Sequence, residues 1–158
     1  MLLSITVVEN FSVRVLMVHN VFALALLYVG DTILLIQRSA QVDFGKGLYS
    51  LVGGKVEQGE RALQAIKREV YEETGLDIPE SDFEFVHALY RKGTETDFVA
   101  FCFKADISRL PAPYVKEPDK HDDMQFFTMD QVPNAMLSAH KQVLECIARS
   151  VYYSEHGW

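Results

Sequence analysis

The sequence predicts an α/β fold, on three observations. Aliphatic and aromatic runs of strand length, bounded by Gly, Asp and Pro, recur along the chain. One stretch near the middle and one near the C-terminus place apolar residues at helical spacing. With 158 residues, 49% hydrophobic and 23% charged, the chain can build one core of ordinary size. These observations alone support α/β or α+β.

The elements follow in order. Residues 1–16 read as an N-terminal extension or an edge strand, dispensable for catalysis, and the main domain is placed at 17–158. Residues 21–29 and 32–38 are aliphatic runs separated by Gly30-Asp31, which predicts a hairpin of buried strands. A polar, glycine-bearing loop over 39–47 leads to a short strand at 49–52 that ends at Gly53-Gly54. A helix is predicted over 61–74, with Gly75 at the position past its end where φ is often positive. Two further strands, 83–91 and 98–105, flank a polar turn. A long loop over 107–123 holds Pro111, Pro113 and Pro118, and a strand at 124–128 follows. Asp130 is a plausible cap for a turn that Pro133 limits, and Val143, Ile147 and Val151 predict a C-terminal helix over 137–153.

Charge and patterning restrict the functions. Net charge is −7, so long nucleic acid is a poor partner, because a polyanion wants a basic surface. A small anionic substrate is still compatible, since a bound metal reverses local charge. Residues 1–10 carry no basic residue, and 21–29 is too short to span a bilayer, so neither a secretion signal nor a membrane partner is expected. Cys102 and Cys146 have no metal-ligand spacing and read as reduced core thiols, which fits a cytoplasmic protein. The five histidines form no zinc pattern, and His121, in an acidic run, reads as a solvated loop residue. Oligomeric state is not legible, and a homodimer is compatible.

The chemistry lies in 54–76. Gly54 is followed after five residues by Glu60, and after seven more by Arg68-Glu69-Val70-Tyr71-Glu72-Glu73-Thr74-Gly75-Leu76. A helix turns about 100° per residue. Ala62, Ala65 and Ile66 therefore form an apolar stripe that continues into Glu69, Glu72 and Glu73. Carboxylates side by side on an inward face repel one another and lose hydration, so cations must neutralise them. Oxygen ligands favour Mg²⁺ or Mn²⁺. Arg68 points elsewhere on the helix and is expected to orient a carboxylate through a bidentate pair.

This pattern resembles the box of the Nudix hydrolase family at every fixed position, and the likeness to MutT-like members extends over about 20–150. Tyr49 stands where a Trp is common and Val52 where a Pro is common. The resemblance implies an α/β/α sandwich, a mixed β-sheet between helices. It implies metal ligands at Glu69, Glu72, Glu73 and the Gly53 carbonyl, with Mg²⁺ or Mn²⁺ as cofactor. Glu69 or the loop residue Glu117 would be the base, and Glu60 would hold the loop or Arg68. Arg38, Lys55 and Arg91 are candidates for substrate phosphate, and Phe44, Tyr49 and Tyr90 for stacking on a base. His140 falls where guanine-reading MutT-like members carry an Asn. An imidazole cannot present an amide's paired donor and acceptor, which argues against specificity for oxidised guanine.

The expected activity is a divalent-metal-dependent pyrophosphohydrolase acting on nucleoside di- or triphosphates as small-molecule substrates and releasing the monophosphate. The alternatives are hydrolysis of ADP-ribose or a nucleotide sugar, and a non-catalytic nucleotide-binding module. Such modules usually lack box carboxylates, whereas all are present here.

Overall fold

The computed structural model describes residues 20–158. The expectations for residues 1–16, and the start of the main domain at Met17, lie outside them. Among the described residues the strands are β1 (Asn20–Val29), β2 (Thr32–Arg38), β3 (Tyr49–Ser50), β4 (Val52–Lys55), β5 (Glu84–Arg91), β6 (Phe98–Asp106), β7 (His121–Thr128) and β8 (Tyr153–His156). The α-helices among them are α1 (Ala62–Thr74) and α2 (Ser138–Ala148).

β1 is the organising strand. It pairs parallel with β6 from Asn20↔Phe98 to Tyr28↔Asp106. Its other side is shared. The start of β1 takes β4 antiparallel, Phe22↔Lys55 to Ala25↔Val52, and only Tyr28 and Val29 pair with β2. β2 then splays away to pair with β3 and β7. Alternate side chains of β1 enter two cores. Ala23, Ala25 and Leu27 meet Ala65, Ile66 and Val70 of α1 on one face. Leu24 and Leu26 share the opposite core with Ala139, Val143 and Leu144 of α2. A strand buried on both faces reads as a continuous apolar run. The mixed sheet between α1 and α2 is the expected sandwich.

Three expectations need correction. The run 49–52 is two strands: β3 pairs with β2 and β4 with β1, so the chain changes partners at Leu51. The C-terminal helix stops at Ala148, and Val151 lies beyond it, because Ser150 takes φ 56° and turns the chain into β8 alongside β5. The buried His87 fixes that return, with Nδ1 2.7 Å from the Val151 carbonyl and Nε2 2.9 Å from Ser154 Oγ. Asp130 lies inside a 3₁₀ turn and accepts from the Thr128 hydroxyl at 2.6 Å; it does not cap a turn.

Gly75 has φ 75° and its N–H donates to the Tyr71 carbonyl, the left-handed helix end expected. The following loop uses α1's spare carbonyls. Tyr114 N–H donates to Thr74 O, and Lys116 N–H to Glu73 O, each at 3.1 Å. Those bonds satisfy orphan groups of the last turn and deliver Glu117 beside α1.

Candidate active site

Arg68 is the hub of the acidic helix face. Its Nε donates to Glu60 Oε1 at 2.9 Å and one Nη to Glu60 Oε2 at 3.0 Å, the expected bidentate pair. Its other Nη donates to Glu69 at 2.7 Å and to Glu72 at 3.1 Å. The helical-wheel expectation that Arg68 points away from the stripe is therefore corrected, because its long side chain curls back over its own turn. Glu60 also accepts from Glu57 N–H at 3.0 Å. Its bond to Arg68 holds its carboxyl below the usual range. Burial raises the Glu69 carboxyl, while Arg68 opposes that rise.

Glu73 stands apart, 6% exposed and out of contact with any arginine. Its Oε2 accepts from Gly53 N–H at 2.9 Å, and its Oε1 lies 3.5 Å from His121 Nε2. Burial pushes its carboxyl up to about 8, against the pull of the Gly53 bond. Glu117 completes the group: one ligand atom each from Glu73, Glu117 and His121 fall within 4.8 Å of one another. One Glu117 oxygen accepts from Lys120 Nζ at 2.7 Å. The other has no protein partner among the described residues.

Gly53 and Gly54 form the wall behind these carboxylates. Gly53 has φ 141°, and a Cβ there would collide with the Ala23 carbonyl. A Cβ on Gly54 would enter the Glu69 carboxylate. The same glycines line a cavity of about 720 Å³ whose floor includes Phe22, Leu24, Leu89 and Ala100. Arg38, Phe44 and Arg91 line it as well. Lys55 does not; it is exposed at the end of β4, with its carbonyl held by Arg68 at 3.1 Å. Tyr49 packs edge-on against Phe127 at 5.3 Å, and Tyr90 donates to Asp97 at 3.0 Å beside Trp158, so neither faces the cavity.

Residues 18–146 match the model of the NUDIX domain. This chain belongs to the NUDIX domain family. The chain is 33% identical over 105 residues to an oxidized purine nucleoside triphosphate hydrolase of Danio rerio, covering 61% of this chain but only 59% of that one. It is 30% identical over 122 residues to an RNA pyrophosphohydrolase of Bartonella clarridgeiae, covering 66% and 69%. Among solved structures, the MutT NUDIX hydrolase of Burkholderia pseudomallei aligns with a TM-score of 0.72 at 27% identity, over 80% of this chain and 95% of that one.

A NUDIX domain implies a divalent cation, and the residues of this one fit it. The donors are carboxylates and one imidazole. Among the described residues, Glu73 is buried without an ion pair to Lys or Arg, and the buried Nδ1 of His121 has no hydrogen-bond partner. His121 is the residue that sequence reasoning missed. It is 4% exposed and starts β7 opposite Arg38 instead of lying in a solvated loop. Its acidic neighbours Asp119, Asp122 and Asp123 hide it, and strand alternation would not have found it: Met124 and His121 are three residues apart, and the ladder shifts register between Gln37 and Arg38, where Arg38 pairs with His121 and Asp122 is skipped.

Among the described residues, no helix is long and apolar enough to cross a membrane.

Proposed function

We propose that this chain is a divalent-metal-dependent pyrophosphohydrolase that cleaves the diphosphate linkage of nucleoside di- or triphosphates and releases the nucleoside monophosphate. One observation supports it best. A buried, raised carboxyl at Glu73, with Glu117 and His121 on its open side, shares the Gly53-Gly54 wall with a cavity large enough for a nucleoside. The named activities of the Danio rerio and Bartonella clarridgeiae relatives both belong to this chemistry.

Glu69, Glu72, Glu73 and the Gly53 carbonyl would hold the cation, Mg²⁺ or Mn²⁺. Such an ion supplies charge neutralisation on diphosphate oxygens and a lower pKa for bound water. The chain's own part is positional. Glu60 fixes Arg68, and Arg68 fixes Glu69 and Glu72. Lys120 holds one oxygen of Glu117, leaving the other to take a proton from the attacking water. Arg38 and Arg91 contact the substrate from the cavity rim.

The test is a panel of nucleoside di- and triphosphates, ADP-ribose and nucleotide sugars, with Mg²⁺ or chelator and product identification. Metal-dependent release of monophosphate from nucleoside di- or triphosphates is the expected result. Turnover confined to ADP-ribose or sugar nucleotides would replace this reading with the alternative. Binding without turnover of any compound would make the chain a binding module.

A further inference from the structure

The cavity beyond Gly53-Gly54 has polar side chains of almost one chemical kind. They belong to Arg38, Arg91, Lys92, Thr94 and His140, and among the described residues no carboxylate or side-chain amide lines it. Arginine and lysine donate hydrogen bonds and cannot accept them. The Thr94 hydroxyl is the one group among these side chains that can do both.

His140 is committed as a donor by the break in the sheet. Where the chain passes from β3 to β4 and changes partner from β2 to β1, Leu51 N–H leaves the ladder and donates to His140 Nδ1 at 3.1 Å. A nitrogen that accepts carries no proton, so the proton sits on Nε2. Nε2 has no protein partner among the described residues. Burial, with Arg38 and Arg91 nearby, pushes the imidazole down to about 3, so the ring stays neutral at physiological pH.

The rim cations are a second, independent observation. The chain carries a net charge of −7. Yet among the described residues no carboxylate lies within 4.0 Å of the charged groups of Arg38, Arg91 or Lys92, the distance that defines an ion pair. The guanidiniums rest on aromatic rings instead. Arg38 and Arg91 lie 5.9 and 5.4 Å from the Phe44 ring centre, and Arg91 lies 5.9 Å from that of Phe98. Arg38 Nε also donates to the Phe44 carbonyl at 2.8 Å, which fixes its head. Phe22, Leu24 and Leu89 give the floor an apolar surface suited to a flat ring.

We infer that this cavity selects a nucleobase that turns an exocyclic carbonyl oxygen to it, so that keto bases such as uracil and hypoxanthine are taken over adenine and cytosine, which carry an amino group at that position. An amino group turned toward these donors would lose its hydration and find no side-chain acceptor except Thr94. The inference rests on the proposed function only in taking the ligand to be a nucleotide.

The test is calorimetric binding of UMP, IMP, AMP, CMP and ribose 5-phosphate to the native protein, followed by kcat/KM for the matching triphosphates with Mg²⁺. UMP and IMP should bind about tenfold or more tightly than AMP and CMP, the effect of one well-placed hydrogen bond against one unmet donor. H140Q places an acceptor in the cavity and should narrow that gap to about threefold or less. R91Q does the same at the rim and serves if H140Q does not fold. Equal affinity for all four monophosphates, or ribose 5-phosphate bound as tightly as UMP, would overturn the inference. Base selectivity in binding without any turnover would overturn the proposed function and leave this inference standing. Turnover with equal kcat/KM for every base would do the reverse.

Discussion

At the residue scale, the acidic helix face is not one uniform strained cluster. Arg68 compensates Glu69 and Glu72, whereas among the described residues Glu73 is buried without an ion pair to Lys or Arg and feels only the more distant Lys120. The strain therefore sits mainly at Glu73, where burial, and after it the charges of Glu69 and Glu117, disfavours the carboxylate. Its carboxyl titrates at about 8 in the folded chain against 4.5 normally. Between those values the folded chain holds more protons than the unfolded one, so metal-free stability should fall as pH rises from about 4.5 to 8. A tenfold change in proton affinity is worth about 1.4 kcal/mol, which makes the span several kcal/mol. E73Q should flatten this slope and be more stable than the native protein in chelator at pH 8. E72Q should keep the slope and change stability by less than about 1 kcal/mol, since it removes one exposed contact. Urea melts across pH measure both, and a native stability that rises between pH 5 and 8 would contradict the assignment. The base is tested separately. If Glu117 takes the proton, E117Q should lower kcat by about 10²–10⁴ with little change in KM, whereas a silent E117Q beside an inactive E69Q would assign the step to Glu69.

At the element scale, the site depends on β4 having no side chains at its centre. G54A would push a methyl group into the Glu69 carboxylate and break its contact with Arg68. A loss of about 1–3 kcal/mol is expected, as for other overpacked positions, with turnover falling even at temperatures where the variant is folded. Thermal melting and a turnover assay check both, and a variant with native activity would show that Glu69 has room to move. The elements nearest the chemistry were the legible ones. Both-face burial wrote β1 as an unbroken apolar run, and the helical stripe with Gly75 marked α1 and its end. The illegible parts depend on contacts distant in sequence. The end of α2 carries no Gly or Pro; Ser150 adopts a left-handed φ only because β8 finds β5 and His87. The curl of Arg68 back onto Glu69 and Glu72 depends on where Glu60 and the Lys55 carbonyl hold its head.

At the scale of the whole molecule, the sheet brings two different environments together at one thin wall. On the α1 side, Glu73, Glu117 and His121 converge; on the α2 side, cations with no ion pair among the described residues line an apolar cavity. A substrate with an anionic centre and a flat ring would join the two. If the acidic side holds a divalent cation as proposed, that ion binds only the folded state and should stabilise the whole domain. At a hundredfold excess over its dissociation constant, a divalent cation should add about 2.7 kcal/mol. For a chain of this size each kcal/mol moves the melting temperature by about 2–4 °C, so a rise of about 5–11 °C is expected. Arg68 occupies Glu69 and Glu72 but not Glu73, so the variants should separate. E73Q should lose most of the metal-induced rise, because it removes the carboxylate that, among the described residues, has no ion pair to Lys or Arg. E72Q should keep part of it. Melting curves in chelator and along a Mg²⁺ titration, with Mn²⁺ as a second series, measure this directly. A native protein whose melting temperature is unmoved by either ion at millimolar concentration would show that the acidic face is balanced by Arg68 and Lys120 alone, and would remove the metal from the proposed reaction.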